Sequence, residues 1–332
     1  PVYGCPASLS YWGSKSGSRE IFERAGLLMP AGYSKLQGIG EVCEALRELK
    51  KQEPHLRKAV VKLNDGFSFD GNAIYSFEKG GAEPDEDILR QHLKIVAGDL
   101  GFDVFAEKMQ RMGGIVEEFI DGELKASPSV QCRITPLCRS EIVSTHDQVM
   151  GGEAEQVYMG CKFPAAPAYA REVGLLGCRV SSELSREGVL GRFGVDFVSV
   201  KTPEGWRHYA IEINLRKGGT THPYLMLQFL TGGQYDYQTG HYQMPNGQTR
   251  FYFATDGLQS DTYKTLTPTD LIDVAICNDI NYDATVQEGV MFHLLGALSE
   301  FGKLGMVCVG ATPERAEELY RTTVAVLNGA TG

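Results

Sequence analysis

The spacing of apolar residues along the chain predicts a protein that mixes helices with strands. Residues 36–51 place Ile39, Val42, Leu46 and Leu49 at intervals of three and four, which is typical of the buried face of an amphipathic helix. Comparable patterns predict further helices at residues 19–26 (capped by Ser18), 85–97, 103–112, 166–187, 224–230 and 290–302, and a closing helix from Pro313.

Short runs of β-branched and aromatic residues predict strands between these helices. They lie at residues 59–64, 113–124, 126–149, 157–164, 194–200, 207–214, 249–256 and 306–310. Strands and helices follow one another without a strict repeat. The pattern therefore predicts an α+β fold with two antiparallel sheets.

Two of these strands, at 194–200 and 207–214, flank a polar turn and predict a β-hairpin. A turn centred near Glu204 pairs Asp196 with Glu212. Directly paired residues of antiparallel strands have Cβ atoms roughly 5 Å apart, so the two carboxylates meet on one face. A slip of one residue in this pairing would separate them.

The same alternation sorts the other side chains of the hairpin between its two faces. Asn214 follows Glu212 by two residues, so its amide joins the carboxylates. The opposite, buried face is predicted to hold Val195, Phe197, Ile211 and Ile213.

Two carboxylates this close require a compensating cation. Oxygen ligands favour Mg²⁺, which usually completes its coordination with phosphate oxygens and water. Arg216 lies two residues beyond Asn214 and would face the same way, where it would hold a phosphate. The alternative is that Asp196 and Glu212 only pair with arginine or lysine on a solvated strand face.

A second candidate site follows the strand at 59–64, which contains Lys62. This strand leads into a loop with Gly66, Ser68 and Gly71. Glycines let backbone N–H groups approach anionic oxygens, and the lysine adds positive charge, so this pattern is typical of phosphate binding. A β-hairpin whose lysine extends to solvent would give the same residues.

Composition narrows the possible functions. The 332 residues are 42% hydrophobic and carry a net charge of −10 without a sustained basic block, which argues against a nucleic-acid surface. No apolar run approaches the roughly 20 residues needed to cross a bilayer, and no targeting signal precedes the first helix. The eight cysteines lack CxxC spacing and are expected to be reduced. These features predict a cytoplasmic protein that does not bind a membrane.

Several motifs, taken in order, resemble the ATP-grasp superfamily. They are the segment around Lys15, Lys62 with its glycine-rich loop, VEEFIDGE at residues 116–123, and Asp196 followed by EINLR at residues 212–216. The phrases AVVKLNDGFSFDGNA and EINLRKGGTTHPY are similar to the pheganomycin-type peptide ligases within that superfamily.

The resemblance implies two α+β subdomains whose antiparallel sheets grip a nucleotide. It places a connecting segment at residues 1–35, a lid subdomain at 36–117, a large subdomain at 118–245 and a small C-terminal α/β segment at 246–332. Complete members begin with a further domain, so a domain upstream of residue 1 is expected.

The resemblance also implies roles for individual residues. The residues that would bind the nucleotide are Lys15, Lys62, Gly66, Ser68 and Gly71 at the phosphates, Glu117, Glu118, Phe119 and Ile120 at the adenine, and Glu123 at the ribose. Magnesium would be bound by Asp196, Glu212 and Asn214. Arg216 and Lys62 would catalyse phosphoryl transfer.

The implied activity is an ATP- and Mg²⁺-dependent ligase that joins a carboxylate to an amine through an acyl phosphate. Its substrates would be small molecules or peptides, and a homo-oligomer or a separate N-terminal domain partner is a further expectation. Two alternatives stay open: a phosphotransferase or carboxylase with the same nucleotide site, and a nucleotide-binding module without turnover.

Overall fold

The computed structural model describes residues 3–66, 71–96, 100–151 and 157–330. Helices within these ranges are α1 (Lys15–Arg24), α2 (Ile39–Gln52), α3 (Phe77–Gly80), α4 (Glu86–His92), α5 (Phe102–Met112), α6 (Ala170–Arg186), α7 (Thr221–Thr231), α8 (Pro268–Cys277), α9 (Leu298–Phe301) and α10 (Pro313–Ala330). Short 3₁₀ helices span Ala7–Gly13, Asp261–Thr265 and Leu295–Ala297. None of the described helices is long and apolar enough to cross a bilayer.

The strands form two main sheets and one small pair. They are β1 (Gly32–Leu36), β2 (Lys58–Leu63), β3 (Asn72–Ser76), β4 (Leu93–Ile95), β5 (Gly114–Glu118), β6 (Lys125–Ala126), β7 (Pro128–Ile134), β8 (Ser140–Gly151), β9 (Val157–Phe163), β10 (Gly191–Thr202), β11 (Gly205–Asn214), β12 (Gln234–Asp236), β13 (His241–Gln243), β14 (Phe251–Gln259), β15 (Gly289–His293) and β16 (Lys303–Gly310). The predicted α+β class with antiparallel sheets is confirmed.

The first sheet has five strands in the order β1-β5-β2-β3-β4. Helix α2 buries Ile39, Val42, Leu46 and Leu49 in the core of this sheet, and all four are the residues that the sequence pattern selects. Burying each large aliphatic side chain contributes about 1.5–3 kcal/mol, so this face fixes the helix against the sheet.

The second sheet has nine strands, ordered β11-β10-β7-β8-β9-β14-β16-β15, with β6 paired to β10. Helix α6 packs on β7 and β8, and α10 packs on β14 and β16. Strand β14 pairs with β9, so the strands that follow residue 246 extend this sheet.

Helix α1 precedes the five-stranded sheet in the chain but packs in the core of the nine-stranded one, through Ile21 and Phe22. Ser14 caps it by accepting the N–H of Gly17, so the predicted cap at Ser18 is wrong. The Ser18 hydroxyl instead accepts the backbone N–H of Ile213 at 3.0 Å, which ties the helix to β11.

Gly17 lies where α1 crosses the preceding 3₁₀ helix. A Cβ atom there would lie 2.0 Å from the carbonyl oxygen of Tyr11. We expect Gly17→Ala to lower the free energy of unfolding by about 1–3 kcal/mol, because the backbone must move. Gly40→Ala is the control, since its Cβ meets nothing within 4 Å and helical alanine is favoured over glycine. Urea titration of both variants is the measurement, and equal stabilities would contradict this prediction.

Two predicted helices are shorter than the sequence pattern suggests. The helix at 85–97 ends at His92, because residues 93–95 pair with β3 as the sheet edge β4. The predicted helix at 290–302 begins instead as strand β15, whose apolar residues pair with β16. Leu294, at φ +58°, then turns the chain into the short α9. Tertiary pairing overrides helical spacing in both places.

His146 is fully buried on β8, with its Nε2 2.7 Å from the hydroxyl of Tyr252. Burial lowers the pKa of His146 to about 3. The unfolded chain therefore binds a proton below about pH 6.5 that the folded chain does not, and stability falls as the pH drops. Between about pH 7.5 and 5.5 we expect a loss of about 1 kcal/mol that His146→Gln does not show. Urea titrations at both pH values test this, and parallel losses would contradict it.

Candidate active site

A cavity of about 590 Å³ lies between the two sheets. Strands β2 and β5 form one side, and β8 to β11 with the start of α1 form the other. The sequence-predicted residues that line it are Lys15, Lys62, Gly66, Gly71, Glu117, Glu118, Phe119, Ile120, Asp196, Glu212, Asn214 and Arg216.

Two predicted site residues are not placed in this cavity. Glu123 is exposed and does not line the wall, so the structure does not bring it together with the other predicted nucleotide residues. Ser68, with the tip of the glycine-rich loop, lies outside the described residues.

The hairpin brings Asp196 opposite Glu212, as predicted, but by a different route. The two-residue turn pairs Thr202 with Gly205, and a regular ladder from that turn would place Asp196 opposite Ile211. A β-bulge between Asp196 and Phe197 absorbs Ile211 and restores the pairing with Glu212. Ile211 is therefore half-buried on the cavity wall, and its predicted place on the buried face is wrong.

Asn214 binds both carboxylates of the hairpin. Its Nδ2 donates to Asp196 Oδ2 at 2.8 Å and to Glu212 Oε1 at 3.0 Å. Burial and the charge of Glu212 raise the pKa of Asp196 to about 7. Burial alone would also raise the pKa of Glu212, but the charge and hydrogen bond of Lys15 hold it at about 2.

The pKa shifts of Asp196 and Glu212 bear on whether the three side chains fit a cation. Because the pKa of Asp196 is near 7, this carboxyl group lacks enough nearby positive charge to keep it fully ionised. The side-chain oxygens of all three residues are ligands that suit Mg²⁺. No group of three or more His, Cys, Asp or Glu suited to a metal occurs in the described part of the chain. The carboxylates of Asp196 and Glu212 and the amide of Asn214 fit an ion that takes its remaining ligands from phosphate and water.

Lys15 is the first residue of α1, and it contacts residues on both sides of the cavity. The side that contains the five-stranded sheet and the side that contains the nine-stranded sheet are called the two lobes. The backbone N–H of Lys15 donates to the carbonyl of Asn64 at 3.1 Å, next to β2, while its ammonium group forms a salt bridge with Glu212. Burial alone would lower the pKa of Lys15, but Glu212 outweighs burial and raises it. Lys15 thus stays charged beside the carboxylates.

Lys62 is buried and forms a salt bridge with Glu117 of the neighbouring strand β5. Glu117 also accepts a hydrogen bond from Arg19 Nη1 at 3.1 Å, and Arg19 donates to the carbonyl of Pro30 at 2.9 Å. The sequence analysis missed Arg19. Its position four residues after Lys15, on the same face of α1, is a local signal, but only the distant contact with Glu117 makes it notable.

The segment at Glu118 to Ile120 connects the two lobes. The N–H groups of Glu118 and Phe119 donate to the carbonyls of Ala31 and Lys58, at 2.8 and 3.1 Å. Neither donor is available to a nucleobase. The ammonium groups of Lys58 and Lys125 lie 5.6 and 5.5 Å from the centre of the Phe119 ring, which gives this wall a charged aromatic surface.

The cavity continues along the nine-stranded sheet past the carboxylates. The wall there includes Gln148, Met150, Tyr158 and Asp256, none of which the sequence analysis selected. Arg216 lies on the rim, where its side chain is exposed.

Two antiparallel sheets that close on one cavity, with a lysine at each lobe and paired carboxylates on the larger sheet, define an ATP-grasp protein. The comparisons agree. Residues 85–238 match the IQCH-like ATP-grasp family, and residues 270–323 match the PGM1 C-terminal domain family. The chain belongs to the ATP-grasp superfamily, as its motifs predict.

Among curated proteins, the chain is 33% identical to the L-propargylglycine–L-glutamate ligase of Streptantibioticus cattleyicolor, over 99% of this chain and 66% of that ligase. It is 19% identical to the IQ motif-containing protein H of Danio rerio, over 89% of this chain and 31% of that protein. The chain therefore spans about two thirds of the first relative and a third of the second.

The fold is also similar to that of solved structures. The biotin carboxylase domain of the 2-oxoglutarate carboxylase from Hydrogenobacter thermophilus, in complex with MgADP, matches with a TM-score of 0.64 at 14% identity, over 97% of this chain and 67% of that one. A carboxyaminoimidazole ribonucleotide synthase from Aspergillus clavatus, complexed with ATP, matches with a TM-score of 0.57 at 12% identity, over 95% and 73%. At sequence identities this low, the structural similarity shows only that the fold is shared.

Proposed function

We propose that this chain is an ATP-dependent ligase that joins a carboxylate to an amine. The observation that supports it most is that one cavity holds Lys15 and Lys62 together with the Asp196–Glu212 pair. Cations that can bind phosphates thus face a site that fits Mg²⁺. The similarity to an L-propargylglycine–L-glutamate ligase supports the choice of ligase over other ATP-grasp activities.

Binding of the nucleotide requires the lysines to exchange partners. Lys15 and Lys62 now contact Glu212 and Glu117, and each would turn to phosphate oxygens when ATP enters. Asp196, Glu212 and Asn214 would hold Mg²⁺, which neutralises charge on the phosphates when bound. Asn214 would have to present its amide oxygen rather than its NH₂ group.

The reaction has two steps. An oxygen of the substrate carboxylate attacks the γ-phosphorus of ATP, the bond to the β-γ bridging oxygen breaks, and ADP leaves. The amine then attacks the carbonyl carbon of the acyl phosphate, phosphate leaves and the amide forms. Holding the reactants together can lower the barrier by about 7–11 kcal/mol, and Arg216 on the rim would stabilise charge on the transferring group.

For the substrates we propose amino acids or short peptides, since the similar ligase joins two amino acids. A cytoplasmic setting fits the use of ATP and the eight free cysteines. The carboxylases among the structural neighbours share only the fold at 12–15% identity, so they favour no second activity for this chain.

Hydroxylamine provides a test that does not require knowledge of the amine, because it attacks acyl phosphates to give coloured hydroxamates. The purified chain is incubated with Mg-ATP, hydroxylamine and pooled amino acids and dipeptides as carboxylates. We expect hydroxamate with at least one ADP for each hydroxamate, since amines of the pool compete with hydroxylamine, and neither product when the carboxylates are left out. ADP release without hydroxamate, or AMP in place of ADP, would contradict the proposal.

A further inference from the structure

A bulge in β14 turns Asp256 into the wall of the active-site cavity. Opposite β16, Thr255 pairs with Met306 but Leu258 pairs with Leu304, so β14 contains one extra residue. The Thr255 hydroxyl fixes this irregularity, since it donates to the carbonyl of Met159 at 2.6 Å and accepts the N–H of Gly257 at 3.1 Å. Bulges commonly redirect a side chain in this way.

Within the described ranges, the Asp256 carboxylate has no cationic partner. It is half-buried, and no residue in the described ranges forms a hydrogen bond or an ion pair with it. The neighbouring ionisable side chains are Tyr158 and Cys161, neither of which can carry a positive charge, and His222 and His293, whose Nε2 atoms lie 3.1 Å apart. Burial lowers the pKa of both histidines, that of His293 to about 4. Both imidazoles are therefore neutral at pH 7 and leave the charge of Asp256 uncompensated.

Asp256 is separate from the carboxylates that fit Mg²⁺. In the sheet, β14 lies four strands from β10, with Tyr158 of β9 between Asp256 and Asp196. Neighbouring strands are about 4.8 Å apart, and three strands lie between β10 and β14. This separation is too large for both aspartates to bind one ion.

We propose that Asp256 binds an ammonium or guanidinium group of a co-substrate, at a point away from the bond that is formed. This inference rests on the proposed ligase function. A half-buried carboxylate without a cationic partner can form a charge-assisted hydrogen bond with a cationic group of the bound substrate. Asp256 would thus select substrates with a positive charge remote from the reacting group.

The cation could belong to either the carboxylate or the amine co-substrate, and two assays distinguish these sources. In the first, hydroxylamine is the amine, and N-acetylalanine, alanine and lysine provide carboxylates with zero, one and two cationic groups. In the second, the best carboxylate is fixed, and alanine amide is compared with lysine amide. We expect at least tenfold preference for the additional charge in one of the two assays.

Three variants connect that preference to Asp256. Asp256→Asn should abolish the preference for the additional positive charge, while turnover of the compound without that charge stays within twofold of the wild type. Asp256→Lys should invert the preference, so that a compound bearing a glutamate side chain is favoured. Asp261→Asn, whose side chain is 92% exposed, is the matched control and should keep the preference. No preference in either assay, or one that survives Asp256→Asn, would overturn this inference. Absence of hydroxamate with every carboxylate would instead overturn the ligase function itself.

Discussion

Replacing Glu212 by glutamine is expected to lower ATP-dependent turnover by about 10²–10³-fold or more. The change removes a carboxylate that fits Mg²⁺, and it removes the salt-bridge partner of Lys15 in the resting site. It keeps the size of the side chain and the bulge that places residue 212 opposite Asp196. The loss should therefore appear in turnover rather than in folding.

Glu123→Gln is the matched control for this variant. Glu123 is a glutamate of the connecting segment, but it is exposed and does not line the cavity. Hydroxamate formation and urea titration are measured for both variants. Activity of Glu212→Gln within tenfold of the wild type would contradict the role given to the carboxylate pair.

Replacing Glu117 by alanine is expected to lower the free energy of unfolding by about 3–5 kcal/mol. Glu117 is 2% exposed and compensates two buried cations, Lys62 and Arg19. Its removal leaves both of these mostly buried charges without that carboxylate partner. The penalty comes from those unpaired charges more than from the lost ion pairs.

Urea titration measures this loss, and Glu123→Ala serves as the exposed control, with an expected change within about 0.5 kcal/mol. Saturating Mg-ATP should restore part of the stability of Glu117→Ala, because phosphates would then compensate Lys62. A loss below about 1 kcal/mol without nucleotide would show that Glu117 does not hold this cluster together.

Much of the fold can be predicted from the sequence where a regular repeat of apolar residues is bounded by residues that favour a turn or a helix end. The buried face of α2 and the β10–β11 hairpin are examples, since each combines an apolar repeat with a clear boundary. Elements set by long-range pairing are harder. Strands β4 and β15 carry helix-like spacing, and only the neighbouring strands β3 and β16 make them extended.

The pairing of Asp196 with Glu212 shows how a correct prediction can rest on an incomplete reason. A turn centred on Glu204 gives that register directly, whereas the actual turn is displaced by half a residue and the bulge at Ile211 compensates. A bulge leaves no reliable mark on the spacing of a single sequence. The position of Ile211 was therefore wrong although the carboxylates were placed correctly.

Arg19 and Asp256 were missed for a related reason. Each becomes notable only through residues far away in the chain, Glu117 for the first and the β14–β16 pairing for the second. Their own sequence neighbours give an ordinary helix and an ordinary strand end. Such residues are visible only once the sheets are assembled.

The most direct test of the ligase function is phosphate release from Mg-ATP, measured with a carboxylate pool alone, an amine pool alone and both together. Blocked amino acids keep the pools separate, with N-acetylated acids in one and amino acid amides in the other. We expect sustained release only when both are present, with one ADP and one amide formed per phosphate and neither formed by Glu212→Gln. Sustained release that is independent of the amine, or of the carboxylate, would contradict it.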